Sequence, residues 1–125
     1  MSEPIGELSI RTVAMPADTN PSGDIFGGWI MSLMDIGAGL AATGRAAGRV
    51  ATVAASNFSF LQPVRVGDAV CCYTALLRTG RTSLTYGVEV WVLRGGQGPR
   101  IKVTAAEFTM VAVDPSGRPR ALPPS

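Results

Sequence analysis

Between Ile25 and Ala42 the chain carries one charged residue, Asp35, in a stretch otherwise made of Met, Leu, Ile, Ala, Gly, Phe, Trp and Ser. As a membrane span this run would hold a carboxylate near its centre, at a cost of ~2.5–3.5 kcal/mol on an insertion scale, and its flanks are rich in turn formers. A buried helix in a water-soluble protein is the better reading, over Gly27–Ala42, closed by the breakers Gly44 and Gly48. Such a helix is apolar nearly all round, and one flat sheet cannot hide it. A strongly curved antiparallel sheet wrapped around it does, which selects an α+β architecture.

The rest of the chain supplies that sheet. A first strand is expected over Glu7–Ala14, then "MPADTNPSGD", whose two prolines, Asn, Ser and Gly make a structured loop. After the helix, "RVATVAASNFSF" is rich in β-branched and aromatic residues and stops before Pro63. "VGD", with Gly67 and Asp68, turns into "AVCCYTALL", and "RTGRTS" turns again around Gly80. "LTYGVEVWVL" puts Leu84, Tyr86, Val88, Val90 and Val92 on one face. After the loop "RGGQGP" comes a long last strand, "RIKVTAAEFTMVAV". The tail "DPSGRPRALPPS", residues 114–125, holds four prolines in twelve residues and reads as an extended or mobile end. Residues 1–125 read as one domain without internal repeats, small enough that a partner subunit would help bury the 46% of apolar residues.

Several classes of function fall away. A net charge of +2 with scattered arginines gives no nucleic-acid footprint. Adjacent Cys71 and Cys72 would point to opposite faces of a strand and so cannot pair with each other, which suits a reducing cytoplasm. "MSEPIGELS" has no charged segment followed by an apolar core, so no secretory signal is expected. With no histidine in the chain, Ser-His-Asp and Cys-His catalysis and a histidine-bound zinc are excluded; no metal site is expected. No phosphate-binding "GxxxxGK[ST]" loop is present.

Asp35 is then the residue to explain. One reading is a carboxylate on a helical stripe that escapes burial, or one satisfied by a distant arginine. The other is a general base or nucleophile in a dry cleft, where a carboxylate becomes a stronger base. Gly27 and Gly28 stand at the helix start, where backbone N–H groups lack intrahelical acceptors and the dipole favours developing negative charge. They suit an oxyanion hole or a plain loop-to-helix junction, with Asp24 a competing N-cap. Gly37 and Gly39, inside the helix, fit tight packing on a strand or close approach of a ligand or second helix. Asp35 follows Gly27 by eight residues, about 12 Å along a helix axis, too far for both to serve one carbonyl group. A two-fold dimer with antiparallel helices would set Asp35 of one chain against Gly27 of the other.

"MPADTNPSGDIFGGWIMSLMDIGAG", followed by "GRVATVA", "F-x-x-P-V-x-V-G-D", "CCY" and "GRTSL…VEVWV", resembles the hotdog-fold acyl-CoA thioesterases, the YciA-like group in particular, from about Thr12 to Arg120. The resemblance implies a curved sheet around one central helix, homodimers that are often assembled into trimers of dimers, and hydrolysis of acyl-CoA to free acid and CoA without metal or organic cofactor. By position it implies that Asp35 is the catalytic aspartate, that Gly27 donates to the thioester carbonyl, and that Asn20 assists there or positions water. Ser56 and Gln62 depart from the family pattern, which has an acid and a lysine in their places.

On this reading Asp35 activates a water that attacks the thioester, and the amide of Gly27, with Gly28 second, holds the oxyanion; direct attack by Asp35 is the alternative. For the CoA phosphates the candidates are Arg78 and Arg81 with Thr82 and Ser83 in "RTGRTS", then Arg49; the same turn also reads as an ordinary solvated hairpin. The competing functions are a non-catalytic acyl-CoA-binding sensor and a purely structural subunit. No membrane insertion and no nucleic acid enter any of them.

Overall fold

In the computed structural model, residues 3–124 are described; Met1 and Ser2 of the opening segment and Ser125 of the tail lie outside the described residues. Strand β1 (Glu7–Val13) leads through a loop to α1 (Gly27–Ala46), and β2 (Val50–Phe60), β3 (Ala69–Thr79), β4 (Ser83–Leu93) and β5 (Ile101–Ala112) follow. The strands form one antiparallel five-stranded sheet in the order β1-β3-β4-β5-β2. The chain therefore crosses from one edge of the sheet to the other through α1, and β2 is left as an outer edge. No helix among the described residues is long and apolar enough to cross a membrane.

Alternation decides which face of the sheet meets the helix. Leu84, Tyr86, Val88, Val90 and Val92 of β4 are all buried in the main core, with Val103, Phe108 and Met110 of β5. Cys71 and Cys72 part as the strand geometry requires: Cys72 enters that core, whereas Cys71 packs on the other face with Tyr73 and Trp91. Both thiols are free and buried, and burial pushes Cys72 up to about 12. The helix meets β3 closely at Gly37, where an added Cβ would lie 2.7 Å from the Cys72 sulfur; tight packing on a strand is the reason for that glycine.

The α+β architecture, one antiparallel sheet against a single long helix, is as expected, but within one chain the sheet leaves part of the helix uncovered. Ile30, Leu33, Met34, Gly37, Ala38, Ala42 and Ala46 are buried, but Met31, Ile36 and Leu40 remain 40%, 53% and 55% exposed. A five-stranded sheet covers one side of a helix, and the opposite side stays bare. Strand β2 is also exposed along nearly all its length.

The helix also runs past Gly44, which was expected to close it, and ends at Ala46, with Ala47 in the left-handed region at φ 54°. An exposed glycine costs a helix only about 1 kcal/mol, and the tail supplies long-range support. Arg120 donates to the terminal Ala46 carbonyl at 3.0 Å and to Val113 O at 3.1 Å, and Arg45 donates to Pro123 O at 2.9 Å. Leu122 N–H bonds to Arg81 O at 2.9 Å while its side chain packs on the core. The tail is extended, as its prolines demand, but fastened.

Candidate active site

The loop before α1 shapes a cleft. Asn20 Oδ1 accepts hydrogen bonds from the N–H groups of Ser22 (2.9 Å) and Asp24 (3.1 Å). Because both partners are donors, the oxygen is the atom they hold, and the Asn20 NH2 group is left as a donor. Ile25 N–H bonds to Val64 O and Phe26 N–H to Asp18 O, both at 3.0 Å. Phe26 is the N-cap, with extended backbone and no side-chain cap bond, so Asp24 does not take that place.

The helix thus begins uncapped. Trp29 N–H reaches back to Phe26 O at 3.1 Å, but the N–H groups of Gly27 and Gly28 have no acceptor among the described residues. Gly27 lines a cleft of about 320 Å³ with Asn20, Ile30, Phe60, Leu61 and Gln62. A Cβ on Gly27 would first meet the Phe60 ring at 3.8 Å, so the chain itself leaves room there; one on Gly28 would press on the Phe26 ring at 3.3 Å.

Asp35 lies elsewhere. Its carboxylate is exposed on the bare side of α1, so the dry cleft expected around it is not formed by one chain. Among the described residues the one side chain that holds it is Thr52, whose hydroxyl donates to Oδ1 at 2.6 Å. Thr52 precedes a register shift in β2, between Thr52 and Ala54, and also contacts Met110 Sδ at 3.1 Å. Sequence reasoning passed over Thr52. It sits seventeen positions from Asp35 in a strand with other hydroxyls, and the pairing depends on where the edge strand crosses the helix.

The candidate CoA contacts cluster with Asp35 and not with the cleft. Ser83 pairs with Val111, which pairs with Ala51, so the β3–β4 turn lies level with the start of β2. Arg78 is ion-paired with Glu107 at 3.3 Å. The Arg81 and Thr82 carbonyls receive Leu122 and Ala112 N–H groups, and Ser83 O receives Gly80 N–H at 2.9 Å. Arg49, exposed just before β2, borders a hollow of about 520 Å³ with Gly48, Asp114 and Arg120. Asp114 is held below the usual carboxylate range by N–H groups of the following turn, Arg118 foremost. At ~3.3 Å per residue, the eleven residues of β2 separate Arg49 from Phe60 by about 36 Å.

The candidate residues therefore form two incomplete groups. Asp35, Thr52, Arg49 and the turn Arg78–Ser83 stand at one end of β2; Asn20, Gly27 and Gly28 stand at the other, beside Phe60. One group supplies a base and cations, the other amide donors over a cleft.

Residues 22–98 match the Thioesterase superfamily. The chain is 54% identical over 123 residues to the acyl-CoA thioester hydrolase YciA of Escherichia coli (strain K12), covering 96% of this chain and 93% of that protein. The hexameric thioesterase y2039 from Yersinia pestis superposes with a TM-score of 0.94 at 54% identity, over 98% of this chain and 100% of that one. Cj0915, a hexameric hotdog fold thioesterase of Campylobacter jejuni, superposes with a TM-score of 0.89 at 39% identity, over 94% of this chain and 91% of that one.

Proposed function

Because the chain belongs to the thioesterase superfamily and has the hotdog fold, we propose that it hydrolyses acyl-CoA thioesters to a free acid and CoA, at a site shared between two subunits. The observation that carries the reading is the placement of Asp35: a carboxylate fixed by Thr52 at 2.6 Å on the uncovered side of the helix, with uncapped amides at the same helix's far end. Pairing two β2 edges antiparallel about a two-fold axis sets the start of one strand beside the end of the other. Asp35 of one protomer then stands next to Gly27 of the partner subunit, and both bare surfaces are covered at once. The hexamers formed by the two similar thioesterases fit a trimer of such dimers.

In the site so completed, the Thr52 hydroxyl occupies Asp35 Oδ1 and leaves Oδ2 to take a proton from water. The water oxygen attacks the thioester carbon, and the negative charge that forms on the carbonyl oxygen is held by the Gly27 N–H, with the Asn20 NH2 group as a second donor. One such donor supplies ~2.7–4 kcal/mol, and general-base action ~10²–10⁴-fold. The C–S bond then breaks, and the CoA thiolate takes the proton from Asp35. A thiolate leaves readily, so the step requires no histidine, metal or organic cofactor. In this reading Arg49 and Arg81, exposed at the Asp35 end, meet the CoA phosphates, with Arg78, Thr82 and Ser83 near them.

Thiol release from a panel of acyl-CoAs tests this. Wild type is expected to turn over, and Asp35→Asn to lose ~10²–10⁴ in kcat while still binding CoA. Wild-type binding without turnover would make the chain a sensor instead. Mixed assemblies test the shared site: Asp35→Asn chains and Gly27→Pro chains, the proline removing the N–H at the first helical position where a proline is tolerated, should each lose activity alone and regain about a quarter of wild-type activity when assembled together, since each mixed two-fold pair rebuilds one intact site.

A further inference from the structure

An ion pair outside the cleft, its carboxylate buried and its guanidinium partly exposed, reaches the oxyanion donor through the backbone. Asp68 is 2% exposed, and its Oδ2 accepts both Arg65 N–H at 2.8 Å and Arg94 Nη1 at 2.5 Å. The other arm of the Arg94 guanidinium donates to Pro63 O at 2.9 Å. One planar fork therefore fastens the segment Pro63–Asp68 at both its ends. That segment is a wall of the cleft: Pro63 and Val64 line it together with Gln62. The neighbouring Val64 carbonyl receives Ile25 N–H at 3.0 Å, two residues before Gly27. Arg94 itself lies in the turn after β4 and does not border the cleft. A carboxylate taken this far from water is a costly way to hold a turn, even beside a guanidinium that stays a quarter exposed, and an apolar contact would serve stability alone as well.

We infer that Arg94, through Asp68 and the carbonyls of Pro63 and Val64, is a positioning residue that sets where the Gly27 amide stands relative to the cleft wall. The inference rests on the proposed role of that amide. Arg94→Lys keeps the charge but loses the fork, because an ammonium group cannot span Asp68 and Pro63 O in the same planar geometry.

The test is a double-mutant cycle in thiol release, on the full chain, with Arg94→Lys and Gly27→Pro singly and together; proline at the first helical position removes the N–H and is tolerated there. Arg94→Lys is expected to lower kcat about tenfold with KM changed less than threefold, and to add little to the loss already caused by Gly27→Pro, because both act at one amide. A support role alone would lower the melting temperature, leave kcat per folded molecule unchanged, and overturn the inference. Full additivity in the cycle, with Gly27→Pro costly on its own, would overturn it and spare the proposed oxyanion donor. A harmless Gly27→Pro would remove both. Should Arg94→Lys fail to fold by circular dichroism, Asp68→Asn, which keeps the shape of the side chain and weakens the same pair, takes its place in the cycle with the same outcomes.

Discussion

Gly39 offers a test in which the isolated chain and the shared site predict opposite signs. It lies in the middle of α1, on the bare side, and an added Cβ would meet nothing within 4 Å. For a lone subunit Gly39→Ala should therefore stabilise: alanine is preferred over glycine inside a helix by ~1 kcal/mol, which in a chain of this size raises the melting temperature by about 4 °C. In the proposed two-fold pair the same glycine would face the partner's helix. Gly28, Ser32, Asp35 and Gly39 make that side narrow enough for close approach, and a methyl group there acts as an overpacked residue, costing ~1–3 kcal/mol at each copy. The expected result is a weaker assembly in sedimentation or light scattering, at least a tenfold rise in the dissociation constant, and a fall in kcat at protein concentrations where the wild type stays assembled. A variant that is about 1 kcal/mol more stable at every concentration, with unchanged kcat and assembly, would show that no helix packs against this side and would remove the basis for a shared site.

Other perturbations separate the parts of the structure. Thr52→Val keeps the shape of the side chain and removes the bond to Asp35; a hydrogen bond to a charged group is worth ~1.5–3 kcal/mol, so kcat should fall ~10–100-fold while CoA affinity, measured by calorimetry, stays within threefold. Gly37→Ala drives a methyl group against the Cys72 sulfur, 2.7 Å away, and should cost ~1–3 kcal/mol in urea unfolding, most of it restored in Gly37→Ala/Cys72→Ala. Cys72 also gives the fold an alkaline limit. The unfolded thiol ionises near 9.0 and the buried one at about 12, so between those values the unfolded chain holds fewer protons and stability falls as pH rises. Burial moves Tyr86 in the same direction. Urea midpoints should therefore drop from pH 8.5 to 10.5, with a shallower slope in Cys72→Ala.

Regular features were readable from local pattern. The period of two in β4 picked out five residues that are all buried together, and the apolar run marked the helix start at Gly27. What escaped reading depends on contacts distant in the chain. The helix passes Gly44 because Arg120, 74 positions from Ala46, holds its last carbonyl, and the tail is fastened by Arg45 and Arg81 instead of its own composition. Asp35 was singled out by the cost of a charge in an apolar helix, but its partner Thr52 depends on the crossing of β2 over α1. The bare helix side was one of two open readings, a stripe escaping burial or a dry cleft around Asp35, since composition alone does not say whether one sheet or two cover an apolar helix. The separation of Asp35 from Gly27 was the exception, because helical rise turns a count of residues directly into a distance.

The open border at β2 has a cost before any substrate arrives. "VATVAASNFSF" contains no charged residue and no proline, the devices by which sheet margins normally repel strangers. If β2 is the seam of the proposed pair, newly made chains must find a sister quickly or stick to whatever other strand they meet. Mutants unable to pair should accordingly turn up in inclusion bodies and not as tidy monomers, and lower synthesis rates or co-expression with a pairing-competent copy should rescue them.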